Sequence, residues 1–590
     1  MKKVFIKWLG LCAFALSPAA LAEDKPNIVL ILTDDQGYGD ISSHGNRMID
    51  TPHLDQLAED GTRFENFFVS NVCAPTRASL LTGRYHIRTG VVQVSRGLEI
   101  MRSEEATIAE VFKAQGYETG LFGKWHNGEH YPNNPPGQGF DEYFGFCAGH
   151  IGDFFDATLD HNKTFVKTKG FITDVLTDRA IDWIEKQQDK PFFAYIPYNA
   201  PHAPYQVEDK YYDEFAAKGY SAAHSAAYGM IENLDDNIGR LLKILDDLNL
   251  TDNTIVIFLT DNGPNSPTRF NGGMKGSKGS VDEGGVRVPF FIRWPGKIAK
   301  GRTIHDLAAH IDVLPTLMEL AGVNVDLPNK LDGRSLTSLI SSSKTPKAPA
   351  WPERLIFTQG PGTNMTPGSG AGAARSNQYR YVLSRGEEGL YDMINDPGQE
   401  KDLKKSKKKI FDELKAAYIE WLKDVSAGWE PNTTIPVGYK EFPATYLQAV
   451  EAKLQGKLKF NGRGFAHDWI VNWTNPKDKI TWDINVITSG RYKVSLDYVV
   501  PEKDVGATIK ISTGKASISS KITRAFDPEL FPAHDRAKRA GELEKPWKKI
   551  TLGEMDIDAG RAQVILSADT MTGKQVIEVR RVTLELISSN

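Results

Sequence analysis

Asn27-Ile28-Val29-Leu30-Ile31-Leu32-Thr33-Asp34-Asp35 is the stretch that decides the fold. Its apolar run is continuous rather than alternating, as in a strand buried on both faces of a parallel sheet, and it stops abruptly at two carboxylates. Residues 254–259 repeat the pattern and end in Thr260-Asp261-Asn262, while 191–196 run into Pro197-Tyr198-Asn199-Ala200-Pro201-His202. Between these runs, 107–115, 174–187 and 226–248 carry apolar residues at helical spacing. Strands alternating with helices predict an α/β domain. In open α/β sheets ligands gather beyond the carboxyl ends of the strands, so Asp34, Asp35, Asp261, Asn262 and His202 are expected to converge there.

The chain of 590 residues, 25% charged and 40% hydrophobic, can build at least two cores. A net charge of −4 argues against a nucleic-acid protein, which needs clustered cations to displace counterions. Any anionic ligand must meet a local basic site. Lys2, Lys3 and Lys7, an apolar stretch over 8–16 and Ala20-Leu21-Ala22 read as an export signal cleaved after Ala22. The apolar run is well short of the ~20 residues of a spanning helix, and Leu11 is too large for a lipoprotein site at Cys12. The expectation is a periplasmic or secreted protein without a membrane anchor. That leaves Cys73 and Cys147, too few for a disulfide framework; they either pair or sit buried as small hydrophobes.

From about residue 457 the texture changes to alternating segments at 479–486, 492–500, 507–512, 564–568 and 576–586, with turn signals at Ser489-Gly490 and Thr572-Gly573. This predicts an appended all-β, sandwich-like domain. The boundaries read as a signal over 1–22, a catalytic domain over 23–430, a linker over 431–456 and a β-rich domain over 457–590. Trp469, Trp473 and Trp482 either stack on sugar rings or fill the core of that domain. Residues 359–376, rich in Gly, Pro, Ala and Ser, read as a surface connection or a substrate-facing lid.

Asp34, Asp35, Asp261 and Asn262 are hard oxygen donors suited to Ca²⁺ or Mg²⁺, and no Cys/His cluster has zinc spacing. The alternative for Asp34-Asp35 is a helix N-cap pair.

The segment Cys73-Ala74-Pro75-Thr76-Arg77-Ala78-Ser79-Leu80-Leu81-Thr82-Gly83-Arg84 resembles the type I sulfatase signature, Cys-x-Pro-x-Arg followed by Leu-Thr-Gly. Gly116-Tyr117-Glu118-Thr119-Gly120-Leu121-Phe122-Gly123-Lys124-Trp125-His126 resembles the second signature of that family. The segments around Asp34, His202, Asp261, 276–289 and 390–397 follow in family order, so the resemblance covers roughly 27–429. It departs mildly at Thr76, where many sulfatases have Ser. Lys275 competes with Lys278, but the spacing to Glu283-Gly284-Gly285 favours Lys278.

The resemblance implies an alkaline-phosphatase-like fold with a mixed, largely parallel sheet flanked by helices. It also implies that a formylglycine-generating or sulfatase-maturing enzyme oxidises Cys73 to formylglycine (3-oxoalanine), whose hydrated aldehyde is the nucleophile. Asp34, Asp35, Asp261, Asn262 and the modified Cys73 would then surround a calcium ion, with Arg77, Lys124 and Lys278 on the sulfuryl oxygens. His202 or Lys278 would protonate the departing alcohol. His126 would take a proton from the second diol hydroxyl as sulfate leaves. His86, Arg96, His150 and Asp153 are candidates for the sugar pocket, with surface or core roles as the alternative. Similarity to bacterial polysaccharide sulfatases implies a sulfated carbohydrate substrate such as a sulfated galactan. The rivals are a phosphonate or phosphodiester hydrolase and a non-catalytic glycan-binding protein; the complete set of reactive residues argues against the latter.

Overall fold

The computed structural model describes residues 25–589 apart from 267, 343–350, 367, 432, 533, 540 and 542. The leader expected over 1–22 lies outside the described residues. Among those described, no helix is long and apolar enough to cross a membrane.

The opening stretch forms strand β1 (Asn27–Thr33) at the centre of a ten-stranded mixed sheet. Strands β2 (Glu118–Lys124), β3 (Phe192–Pro197) and β4 (Thr254–Thr260) run parallel to it in the order β4-β1-β3-β2. The continuous apolar run is explained by the two cores it serves. Ile28, Leu30 and Leu32 enter the core on one face, and Val29 and Ile31 enter the core on the other. In β4, Ile255, Ile257 and Leu259 oppose Val256 and Phe258 in the same way. Helices Ile172–Ile184 and Ala222–Asp247 cover the second face, while Cys73–Thr82 and Ile108–Lys113 pack on the first.

The segment 359–376 is not wholly a loop. Gly372–Arg375 is a fully buried strand of a four-stranded antiparallel sheet over which helix Lys408–Val425 packs. Its Gly-Ala-Ala sequence carries none of the branched side chains that advertise a strand, and the reason is steric. A Cβ on Gly372 would lie 2.0 Å from the Tyr418 hydroxyl.

The C-terminal part is rich in antiparallel strands, arranged as two six-stranded sheets around a single apolar core. The expected linker over 431–456 belongs to these sheets. Ile435–Val437 and Lys453–Gln455 pair with Lys479–Val486, and Ala444–Gln448 pairs with Glu578–Ser589. Strands of three to five residues are too short to show a period, and only their distant partners reveal them. Trp473 and Trp482 sit in this core, and Trp469 is buried at its edge, so none offers a face to a sugar. All three indole N–H groups donate inside the protein: Trp469 to Glu578, Trp473 to the Asn475 carbonyl and Trp482 to the Gln448 carbonyl.

Trp482→Ala should therefore destabilise the C-terminal sheets by about 3–5 kcal/mol in urea unfolding. A loss under about 1 kcal/mol would show that this indole does not organise the core.

Candidate active site

Four strand ends and one helix start meet at a single point. Register pairs Thr33 with Thr260, which puts Asp34 and Asp35 beside Asp261 and Asn262. Lys124 is the last residue of β2, His126 follows two residues later, and His202 lies just past β3. Cys73 is the first residue of helix α1 (Cys73–Thr82), with Arg77 one turn further on. Asp35 and His126 both adopt left-handed backbone (φ 64°), a conformation costly for residues with a Cβ and kept where surrounding structure over-determines it.

The side chains alternate in charge. Arg77 sends Nε and Nη2 to Asp261 Oδ2 at 3.1 and 2.8 Å and donates from Nη1 to the Lys124 carbonyl at 2.8 Å. The Lys124 ammonium pairs with Asp34, and Lys278 Nζ lies 2.7 Å from Asp35 Oδ1. His202 Nε2 stands 3.7 Å from Asp35 Oδ2. Lys275 points elsewhere, to Asp282 at 3.6 Å, which separates it from Lys278.

Burial opposes ionisation of Asp34, but Lys124, His202, Arg77 and Lys278 outweigh it and hold the carboxyl far below the usual range. Burial likewise opposes the charge on Lys278, yet Asp35 and its neighbours keep it an ammonium. Burial, reinforced by Lys124, holds His126 well below the usual imidazole value, and burial with Lys278 lowers His202. Both imidazoles are thus harder to protonate than a free histidine side chain. His126 Nε2 lies 2.9 Å from the Val94 carbonyl, which assigns the proton to that nitrogen and leaves Nδ1 without a partner among the described residues.

Burial pushes the Cys73 thiol up despite Lys124 and Lys278. Cys73 and Cys147 are both free, and the Cys147 sulfur contacts the Tyr143 hydroxyl at 3.4 Å.

The donor set fits a hard divalent cation. Asp34 Oδ1 and Asn262 Oδ1 are buried and have no hydrogen-bond partner among the described residues, an expense that a cation would remove. Burial and the Asp34 charge also push Asp261 up to about 7, as expected of carboxylates short of positive charge. One ligand atom each from Asp34, Cys73 and Asp261 lies within 4.8 Å of the others, and the same holds for Asp34, Asp35 and His202.

A cavity of about 320 Å³ opens over Cys73, His126, His150, His202 and Lys278. His150 stacks on His202, with centroids 6.1 Å apart. The other three pocket candidates sit elsewhere. His86 is buried, with Nδ1 2.6 Å from the Val91 carbonyl, because its segment turns into a core instead of the cleft. Asp153 faces His534 at 3.1 Å, and Arg96 donates to the Arg463 carbonyl; both join the two halves of the chain.

Some contributors carry a role that the sequence alone does not reveal. Glu283 is buried between Arg375 and Arg380, each 3.2 Å from its Oε2, which ties the loop bearing Lys278 to the four-stranded sheet. Gly462, Arg463, Phe465, Ala466 and Asp468 form the far wall of the cavity.

Comparison with known proteins identifies the family. The Sulfatase family model matches residues 26–323, and the N-sulphoglucosamine sulphohydrolase C-terminal model matches 277–425. The chain belongs to the sulfatase family. As a sulfatase it is a sulfuric ester hydrolase of the alkaline phosphatase superfamily. It is 33% identical over 455 residues to human Arylsulfatase A, covering 66% of this chain and 85% of that one. It is also 33% identical over 406 residues to the Ulvan-active sulfatase of Formosa agariphila, covering 64% of this chain and 77% of that one. Among solved structures, Ps i-CgsB in complex with k-i-k-neocarrahexaose is similar, with TM-score 0.63 and 29% identity over 70% of this chain and 96% of that one. The Phosphonate Monoester Hydrolase of Agrobacterium radiobacter, 21% identical at TM-score 0.52, shares the fold.

If these oxygens hold a cation in this sulfatase, calcium at about 100 times its Kd should add about 2.7 kcal/mol of stability, read as a rise in Tm that a chelator reverses. Asn262→Ala should abolish the rise; a wild-type Tm indifferent to calcium would refute the site.

Proposed function

We propose that the protein hydrolyses sulfate esters of a sulfated carbohydrate, using formylglycine made from Cys73 beside a calcium ion held by Asp34, Asp35, Asp261 and Asn262. The observation that carries this reading is Cys73 itself. It is a buried thiol without a disulfide partner, at a helix start, among two ammonium groups and a guanidinium, and burial keeps it protonated. A protonated thiol is a poor nucleophile, whereas a hydrated aldehyde at the same position supplies two hydroxyl groups, one to attack and one to expel the product. The cation would supply Lewis acidity toward a sulfuryl oxygen.

The other roles follow from charge and reach. Lys124 and Lys278, each already beside a carboxylate, offer N–H donors toward the sulfuryl oxygens. Arg77 directs three of its N–H groups to Asp261 and the Lys124 carbonyl and lies 3.6 Å from Asp34, so we assign it to holding the two carboxylates and β2 in place. Lys278 carries a proton suited to the departing alcohol, with His202 beside the same Asp35 carboxylate. His126 is neutral with a free Nδ1, the state required of a base.

A sulfated galactan or related polysaccharide is the proposed substrate class, supported by the 33% identity to the Ulvan-active sulfatase and the likeness to Ps i-CgsB. The sequence of the first 22 residues supports export with cleavage after Ala22, and a maturation enzyme is the implied partner.

Mass spectrometry of the Cys73 peptide, from cells that contain the maturation enzyme, should show the aldehyde. The matured protein should release sulfate from carrageenan or ulvan fragments and hydrolyse aryl sulfates faster than aryl phosphate diesters. Cys73→Ala should lower kcat by at least about 10³-fold. Full conversion with preference for the phosphate diester would transfer the assignment to phosphorus esters.

A further inference from the structure

The family-model matches end at residue 425, yet the cavity over Cys73 is closed by residues 462–468 of the C-terminal sheets. Within that loop Arg463 is exposed, and its side chain forms no hydrogen bond or ion pair among the described residues. Phe465 is 38% exposed, an unusual position for a large aromatic beside a polar cleft.

The loop is held from both sides. On the catalytic side, Arg96 Nη2 donates to the Arg463 carbonyl at 2.6 Å, Nε approaches the Gly464 carbonyl at 3.5 Å, and the guanidinium lies 5.7 Å from the Phe460 ring centre. On its own side, Asp468 Oδ2 accepts from the Gly464 and Phe465 amides at 2.6 and 3.1 Å. Gly464 has φ +80°, and a Cβ there would lie 2.6 Å from Arg96 Nη2. His467 Nε2 lies 2.6 Å from the His150 carbonyl, tying the loop to the pocket wall that carries His202. A loop so fixed presents Arg463 and Phe465 in one place, which lowers the ordering cost of binding.

We propose that the 462–468 loop is a second glycan subsite, in which Phe465 packs against the face of the sugar next to the one losing sulfate and Arg463 binds an anionic oxygen group on that neighbour. This deepens the proposed function and rests on it. The chemistry fits: a planar guanidinium pairs with sulfate or carboxylate in bidentate fashion, and an exposed ring offers apolar surface to a sugar face. The anion is either a second sulfate ester or a uronate carboxylate, and both present the same oxygen fork.

The test compares the matured wild type with Arg463→Ala and Phe465→Ala on three probes: 4-nitrophenyl sulfate, a carrageenan tetrasaccharide bearing sulfate only, and an ulvan oligosaccharide bearing uronate as well. Each substitution should raise KM for the charged oligosaccharide about 10-fold or more with kcat nearly kept, and leave 4-nitrophenyl sulfate unaffected. Which oligosaccharide responds to Arg463→Ala identifies the anion. Equal effects on the aryl ester and the oligosaccharides, or no effect on any, would overturn the subsite. Calorimetric binding of the same oligosaccharides to the full-length Cys73→Ser chain separates the two readings. If that chain binds them and Arg463→Ala weakens binding, the subsite stands even if sulfate release fails; if it does not bind them while aryl sulfate is hydrolysed, the subsite falls and the sulfatase reading survives.

Discussion

The structure depends on a buried ladder of opposite charges at the carboxyl ends of the central strands. Asp34 faces Lys124, Asp261 takes the fork of Arg77, and Asp35 faces Lys278. Each of these charges would cost several kcal/mol if buried alone, so each requires its neighbour. The ladder connects β1, β2, β4, the start of α1 and the loop around residue 278, and it helps hold the left-handed backbone of Asp35 and His126. Among the described residues, Asp34 Oδ1 and Asn262 Oδ1 have no hydrogen-bond partner, and this imbalance makes the site receptive to a cation.

A second level of support surrounds the ladder. Glu283 between Arg375 and Arg380 ties the Lys278 loop to the four-stranded sheet, and burial, which opposes its charge, is outweighed by those arginines, leaving its carboxyl below the usual range. On the opposite side, the C-terminal part attaches through polar contacts of its own. His130 pairs with Glu451 at 2.7 Å, the Gly152 amide donates to Glu544 at 3.0 Å, and Arg536 donates to the Val207 carbonyl. Residues 462–468 of the C-terminal part stand over the reaction cleft as part of its wall.

Much of the site was legible in the sequence because its residues lie next to the elements that position them. An apolar run followed at once by Asp-Asp or Asp-Asn declares a strand end, and Cys73 and Arg77 share a helix face at i, i+4. Where side chains act through distant partners, the pattern gave no lead. His86 and Arg96 follow closely after α1, yet one turns into a core and the other reaches a loop more than three hundred residues away.

By itself, the sequence determined the parallel sheet, the edge at which the polar residues emerge and the β-rich character of the C-terminal part, because each follows from spacing within a short window, while the reactive set around Cys73 came from the resemblance to the sulfatase family. Tertiary structure alone decided that 435–437, 444–448 and 453–455 are strands, that the C-terminal tryptophans are core, and that Arg463 and Phe465 close the cavity. The physical reason is the same in each case. Short strands, buried indoles and loop side chains take their meaning from partners supplied by long-range packing, and no local period records those partners.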